Sequence, residues 1–101
     1  MERILIVEDD RMITESLSAF LMQEGFQTAC APGQREASEL LAKERFDLAL
    51  LDISLGNGNG FSLCSEIRKE YGLPVIFLTA SGDEYSVVAG LDMGAEDYIR
   101  K

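Results

Sequence analysis

The chain contains no histidine and only two cysteines, Cys30 and Cys64, which form no CxxC pair. Without histidine, the usual structural zinc sets and Cys–His nucleophilic chemistry are excluded. Both cysteines stand among apolar neighbours and read as buried, inert thiols. Cations are also scarce: 9 Lys and Arg face 18 Asp and Glu, a formal net charge of −9. A surface this acidic repels nucleic acid and anionic membrane, so direct DNA binding by this segment is not expected. No apolar run approaches the roughly 20 residues that cross a bilayer. Met1-Glu2-Arg3-Ile4 opens straight into a strand rather than a targeting segment, and a cytoplasmic location is expected.

What is present is the balance of an ordinary globular domain, 101 residues with 47% apolar and 27% charged side chains. Short apolar runs alternate with helix-period segments. Arg3-Ile4-Leu5-Ile6-Val7 predicts a buried strand, and a helix follows from about Arg11 to Glu24, with Ile13, Leu17, Phe20 and Leu21 on one face and Gly25 at its end. Phe26 to Ala31 is a weaker strand. Pro32-Gly33 turns into a helix carrying Ala37, Leu40 and Leu41 at helical spacing. Asp47 to Asp52 is the third strand. The loop Gly56-Asn57-Gly58-Asn59-Gly60 leads into a helix with Phe61, Cys64 and Ile67 inward. The fourth strand, Pro74 to Leu78, delivers Thr79 to the sheet edge; a helix from about Asp83 to Asp92 and a fifth strand, Asp97 to Lys101, complete the chain. Regular βα alternation predicts an α/β fold, a doubly wound five-stranded parallel sheet with its final helix missing.

Two of these strands end in acid: Glu8-Asp9-Asp10 follows the first and Asp52 closes the third. In open α/β sheets, ligands bind outside the carboxyl ends of the strands. Up to four carboxylates in one small pocket call for a cation, and hard oxygen ligands favour Mg²⁺. Asp10 reads equally well as a metal ligand and as the N-cap of the first helix.

The order of motifs resembles the receiver domain of two-component response regulators. The residues that carry the likeness are Ile4-Leu5-Ile6-Val7-Glu8-Asp9-Asp10, Asp47-Leu48-Ala49-Leu50-Leu51-Asp52, Pro74-Val75-Ile76-Phe77-Leu78-Thr79-Ala80 and Gly90 through Lys101. The wording around the last three strands is most like regulators with a downstream winged-helix DNA-binding domain. The resemblance implies a flavodoxin-like strand order of 2-1-3-4-5. It also implies that Asp52 accepts a phosphoryl group from a sensor histidine kinase. Asp9 would ligate Mg²⁺ directly, Glu8 would hold metal-bound water, and Ser54 would offer its backbone carbonyl. Thr79 and Lys101 would bind the phosphoryl oxygens, and Tyr98 would be the aromatic switch. Homodimerisation on phosphorylation is implied for the full-length protein.

Taken singly, these residues have plainer explanations, such as helix caps, turn residues or strand-end hydroxyls; their joint occurrence in order selects the functional one. An aspartate-nucleophile phosphohydrolase on a similar sheet is the main rival. Such enzymes place a second aspartate two residues after the nucleophile as general acid–base, and here that position is Ser54. A degenerate receiver is disfavoured by the intact set Glu8, Asp9, Asp52, Thr79 and Lys101, and a flavin module by the negative charge of the pocket. Two departures from the family pattern stand out. Gly56 follows Leu55 where the family usually has proline, and the chain stops at Lys101 where family members continue into a fifth helix. The reading is thus of an incomplete receiver domain over residues 1–101, with apolar surface uncovered where that helix would pack.

Overall fold

The computed structural model describes residues 2–52, 60–79 and 97–100. Ser54, residues 56–59 of the glycine-rich loop, the expected helix from Asp83 to Asp92 and Lys101 lie outside the described residues. Of Gly60, Phe61, Thr79 and Tyr98, the backbone alone is described.

Five parallel strands form one sheet in the order β2-β1-β3-β4-β5, the order implied by the resemblance. They are β1 (Arg3–Val7), β2 (Gln27–Ala31), β3 (Leu48–Asp52), β4 (Val75–Thr79) and β5 (Asp97–Arg100). Between them run α1 (Arg11–Gln23), α2 (Gln34–Lys43) and α3 (Gly60–Glu66), the last continuing as a π-helical turn, Ile67–Tyr71. Parallel neighbours need crossovers, and among the described residues helices supply them on both faces of the sheet.

Side-chain alternation along the strands sorts the core into two layers. Leu5, Val7, Ala49, Leu51, Val75 and Phe77 face α2 and α3, meeting Ala37, Leu41, Leu63, Cys64 and Ile67. Ile4, Ile6, Leu50 and Leu78 face the other way, against Leu17 and Leu21 of α1. Because β1 and β3 are covered on both faces, their sequences read as unbroken apolar runs rather than alternating ones. Each fully buried leucine or isoleucine contributes roughly 1.5–3 kcal/mol relative to exposure.

Local chemistry fixes the ends of α1. Asp10 has extended backbone angles (φ −84°, ψ 111°), and its side chain accepts from the N–H groups of Met12 and Ile13. At the other end Gly25 takes φ 95°, in the left-handed region that favours glycine. The N–H of Phe26 then reaches the Leu21 carbonyl at 3.0 Å and that of Gly25 reaches Met22 at 3.1 Å, closing the helix with a paired cap.

Several boundaries differ from the expectation for physical reasons. Phe26 is spent on the cap of α1, so β2 begins at Gln27. Pro74 has no N–H to give and enters only through its carbonyl, which accepts from Ala49 at 3.1 Å, so β4 begins at Val75. Asp47 precedes β3, where it is an anchor: its N–H donates to the Arg3 carbonyl at 2.8 Å and its carboxylate accepts from the Arg3 N–H at 2.9 Å. The Arg3 guanidinium pairs with Glu44 and lies 5.2 Å from the centre of the Phe46 ring. The amino edge of the sheet is thereby tied down, at the end away from the acidic residues.

Phe20 is not on the packed face of α1; it is 58% exposed. At about 100° of helix rotation per residue, it falls on the flank of the arc centred between Leu17 and Leu21. Cys30 is also exposed rather than buried, because it lies on the edge strand β2, whereas Cys64 is buried as expected. Partial burial nonetheless pushes the Cys30 thiol above its ordinary pKa. Burial does the same for Cys64, partly opposed by the Arg68 guanidinium. No helix among the described residues is long and apolar enough to cross a membrane.

Candidate functional site

The strand register builds the site. Val7 pairs with Leu51 across β1 and β3, so the next residues, Glu8 and Asp52, finish neighbouring strands at the same level. Adjacent strands are about 4.8 Å apart. Glu8 and Asp52 also continue the alternation of Ile4 and Ile6 and of Leu48 and Leu50, the residues on the α1 side. Register and parity together therefore bring two acids from distant parts of the sequence to one edge and one face. One carboxylate oxygen from each of Glu8, Asp9 and Asp52 lies within 4.8 Å of the others.

The three acids differ in environment. Glu8 and Asp52 are buried, only 3% and 4% exposed, whereas Asp9 is exposed at the mouth. The Glu8 backbone N–H donates to the Ala31 carbonyl at 3.1 Å, extending the β1–β2 pairing one residue beyond the strand. Its Oε2 accepts from the Asp10 N–H at 3.1 Å. Asp10 itself does not join the cluster, since its Oδ1 accepts from Met12 N–H at 2.9 Å and Ile13 N–H at 3.4 Å. Of the two readings left open for Asp10, the structure favours the helix cap.

Two like charges at such a separation repel by about 3 kcal/mol at an effective dielectric of about 20. A nearby cation offsets that term. Three carboxylate oxygen donors, one of them on the exposed Asp9, fit a hard divalent ion that keeps several of its waters. The donor set thus suits Mg²⁺ on chemical grounds.

The remaining predicted residues are located through the backbone. Thr79 ends β4, one step beyond Leu78, which is the register partner of Asp52. Tyr98 pairs with Phe77, and Arg100 pairs with Thr79, which puts β5 at the same edge. Ser54 and Lys101 fall outside the described residues. The bond from the Asp10 N–H to Glu8 was missed by sequence reasoning, because a backbone donor leaves no mark in residue type. The only available signal was the cap motif itself, which fixes the orientation of the peptide that carries the donor.

Comparison with known proteins matches residues 4–101 to the family described as the response regulator receiver domain. Among solved structures, the non-phosphorylated HemR receiver domain from Leptospira biflexa is 38% identical, with a TM-score of 0.89 over 100% of this chain and 82% of that one. A two-component response regulator from Clostridium difficile is 30% identical, with a TM-score of 0.94, covering 100% of this chain and 84% of that chain. NtrX from Brucella abortus is 30% identical, with a TM-score of 0.95. That match covers 100% of this chain but only 23% of NtrX, so this chain spans about a quarter of that protein's length.

Proposed function

This chain belongs to the response regulator receiver family, matched over residues 4–101, and we propose that it is the phosphoacceptor switch of a two-component system. The observation that carries this reading is the convergence of Glu8, Asp9 and Asp52 at the carboxyl edge of neighbouring inner strands.

In this reading Asp52 is the nucleophile. The phosphoryl donor is a phosphohistidine of a sensor kinase: its P–N bond breaks as a P–O bond forms to the Asp52 carboxylate. Asp9, Glu8 and Asp52 would hold Mg²⁺, with the Ser54 backbone carbonyl as a further ligand that the family resemblance implies. When bound, the ion supplies positive charge that lowers the repulsion between a carboxylate and a phosphoryl group. The Thr79 hydroxyl and the Lys101 ammonium receive the equatorial oxygens, where charge gathers in the transition state.

The output follows from the added charge and acceptors on Asp52. Thr79 moves toward the phosphoryl group, and the Tyr98 ring fills the space it leaves. The surface around β5 changes with it, biasing an equilibrium that needs only a few kcal/mol to shift. The motif wording further supports a DNA-binding winged helix as the output partner and homodimerisation as a consequence of phosphorylation. Incubation with a small phosphodonor and Mg²⁺ tests the proposal: intact mass should rise by one phosphoryl group on wild type and stay unchanged on Asp52→Asn.

A further inference from the structure

Asp10 stands next to the acidic cluster yet contributes no oxygen to it, and its backbone N–H and its side chain serve different partners. Its N–H donates to Glu8 Oε2 at 3.1 Å, while its Oδ1 accepts from Met12 and Ile13 in the first turn of α1. We propose that Asp10 is a positioning residue for the cation: its carboxylate anchors the peptide to α1, and that peptide's N–H holds Glu8 in place. The proposal rests on the reading of the pocket as a Mg²⁺ site.

The argument begins with Glu8. A glutamate has one more rotatable bond than an aspartate, so a Glu at this position loses more rotamer freedom when it engages an ion. A donor that fixes the carboxylate before binding reduces that loss. The donor must itself be fixed, and a peptide N–H in a loop is fixed only through its neighbours. Asp10 supplies this in its extended conformation, with the side chain bound to the helix end. The first turn has further bonds of its own: the buried Thr14 donates through its backbone N–H to the Asp10 carbonyl at 3.1 Å and through its hydroxyl to the Arg11 carbonyl at 3.0 Å. A chain of hydrogen bonds therefore runs from α1 through Asp10 to Glu8. It passes through the cap geometry rather than the charge of Asp10, and this is what separates it from a general electrostatic contribution.

The test is Mg²⁺ titration of the isotope-labelled chain followed by NMR, with amide hydrogen exchange measured on the metal-free protein. Asp10→Ala removes the cap and should weaken Mg²⁺ by about tenfold, the lower end for groups that orient a ligand. It should also speed exchange at Met12, Ile13 and Asp10. Asp10→Asn keeps the cap without the charge and should restore both slow exchange and an affinity within about twofold of wild type. Should Asp10→Ala fail to fold, Asp10→Gly keeps a tolerable cap backbone without the side-chain acceptor and must also weaken Mg²⁺. Equal losses in Asp10→Asn and Asp10→Ala would mean that Asp10 acts through charge, overturning the proposal. Unchanged affinity in Asp10→Ala, despite faster exchange, would overturn it too. A wild-type chain that does not respond to Mg²⁺ would instead overturn the cation reading of the pocket, and this inference with it.

Discussion

Val7 and Leu51 are register partners on neighbouring strands, and that single relationship places the two buried acids, Glu8 and Asp52, side by side at the sheet edge. A slip of one residue in this pairing would send one of them to the opposite face. The apolar residues that precede them prevent it, since Ile4, Ile6 and Leu50 must face α1 while Leu5, Val7 and Leu51 must face α2 and α3. Packing of the core thus sets the geometry of the site.

Leu51→Ala should therefore be strongly destabilising. Leu51 is fully buried on an inner strand, and large-to-small changes at such positions cost about 2–5 kcal/mol. Urea unfolding should show the loss as a lowered midpoint with an unchanged slope. A midpoint within error of wild type would mean that the inner strands do not carry the core.

The metal ligands separate by position. Asp9→Ala should lower Mg²⁺ affinity far more than Asp10→Ala, because Asp9 offers an oxygen to the cluster and Asp10 offers its own to α1. Isothermal titration of both variants would measure the difference. Equal losses would show that the ligands have been misassigned.

The two thiols should react in order. Cys30 is exposed and Cys64 buried, so iodoacetamide should modify Cys30 first and reach Cys64 only on unfolding. Burial raises both thiol pKa values, so native Cys30 should still react more slowly than a free thiol at mildly alkaline pH. By linkage, the stabilisation associated with these raised values is full below the unfolded thiol pKa and is lost as pH rises through the folded one. Peptide mapping that finds equal labelling of Cys30 and Cys64 in the folded protein would contradict the placement of these side chains.

Thr79→Ala should separate phosphorylation from response. In the proposed mechanism the variant still carries the Asp52 nucleophile but lacks the hydroxyl that moves toward the phosphoryl group. It should accept phosphate while the amide shifts around Tyr98 change much less than in wild type. Identical shift changes in the two proteins would remove Thr79 from the coupling.

The fold was legible because its inner strands are buried on both faces. Runs such as Leu48-Ala49-Leu50-Leu51 and Val75-Ile76-Phe77-Leu78 announce inner parallel strands, and glycines mark the ends of helices. The acidic cluster was legible for the same reason, since Glu8, Asp9 and Asp52 lie at or just beyond strand ends. Exposure was harder to read. Phe20 and Cys30 have apolar neighbours in sequence, but one lies on a helix flank and the other on an edge strand, facts set by tertiary arrangement. The role of Asp10 lay beyond residue type as well, because it depends on where one peptide N–H points.

The most direct test is acid-labile phosphorylation at Asp52. With a small phosphodonor and Mg²⁺, wild type should gain one phosphoryl group, lost on acid treatment, and peptide mapping should place it on Asp52. Asp52→Asn, which keeps the shape and removes the nucleophile, should gain none. Undiminished labelling of Asp52→Asn would contradict the account at its centre.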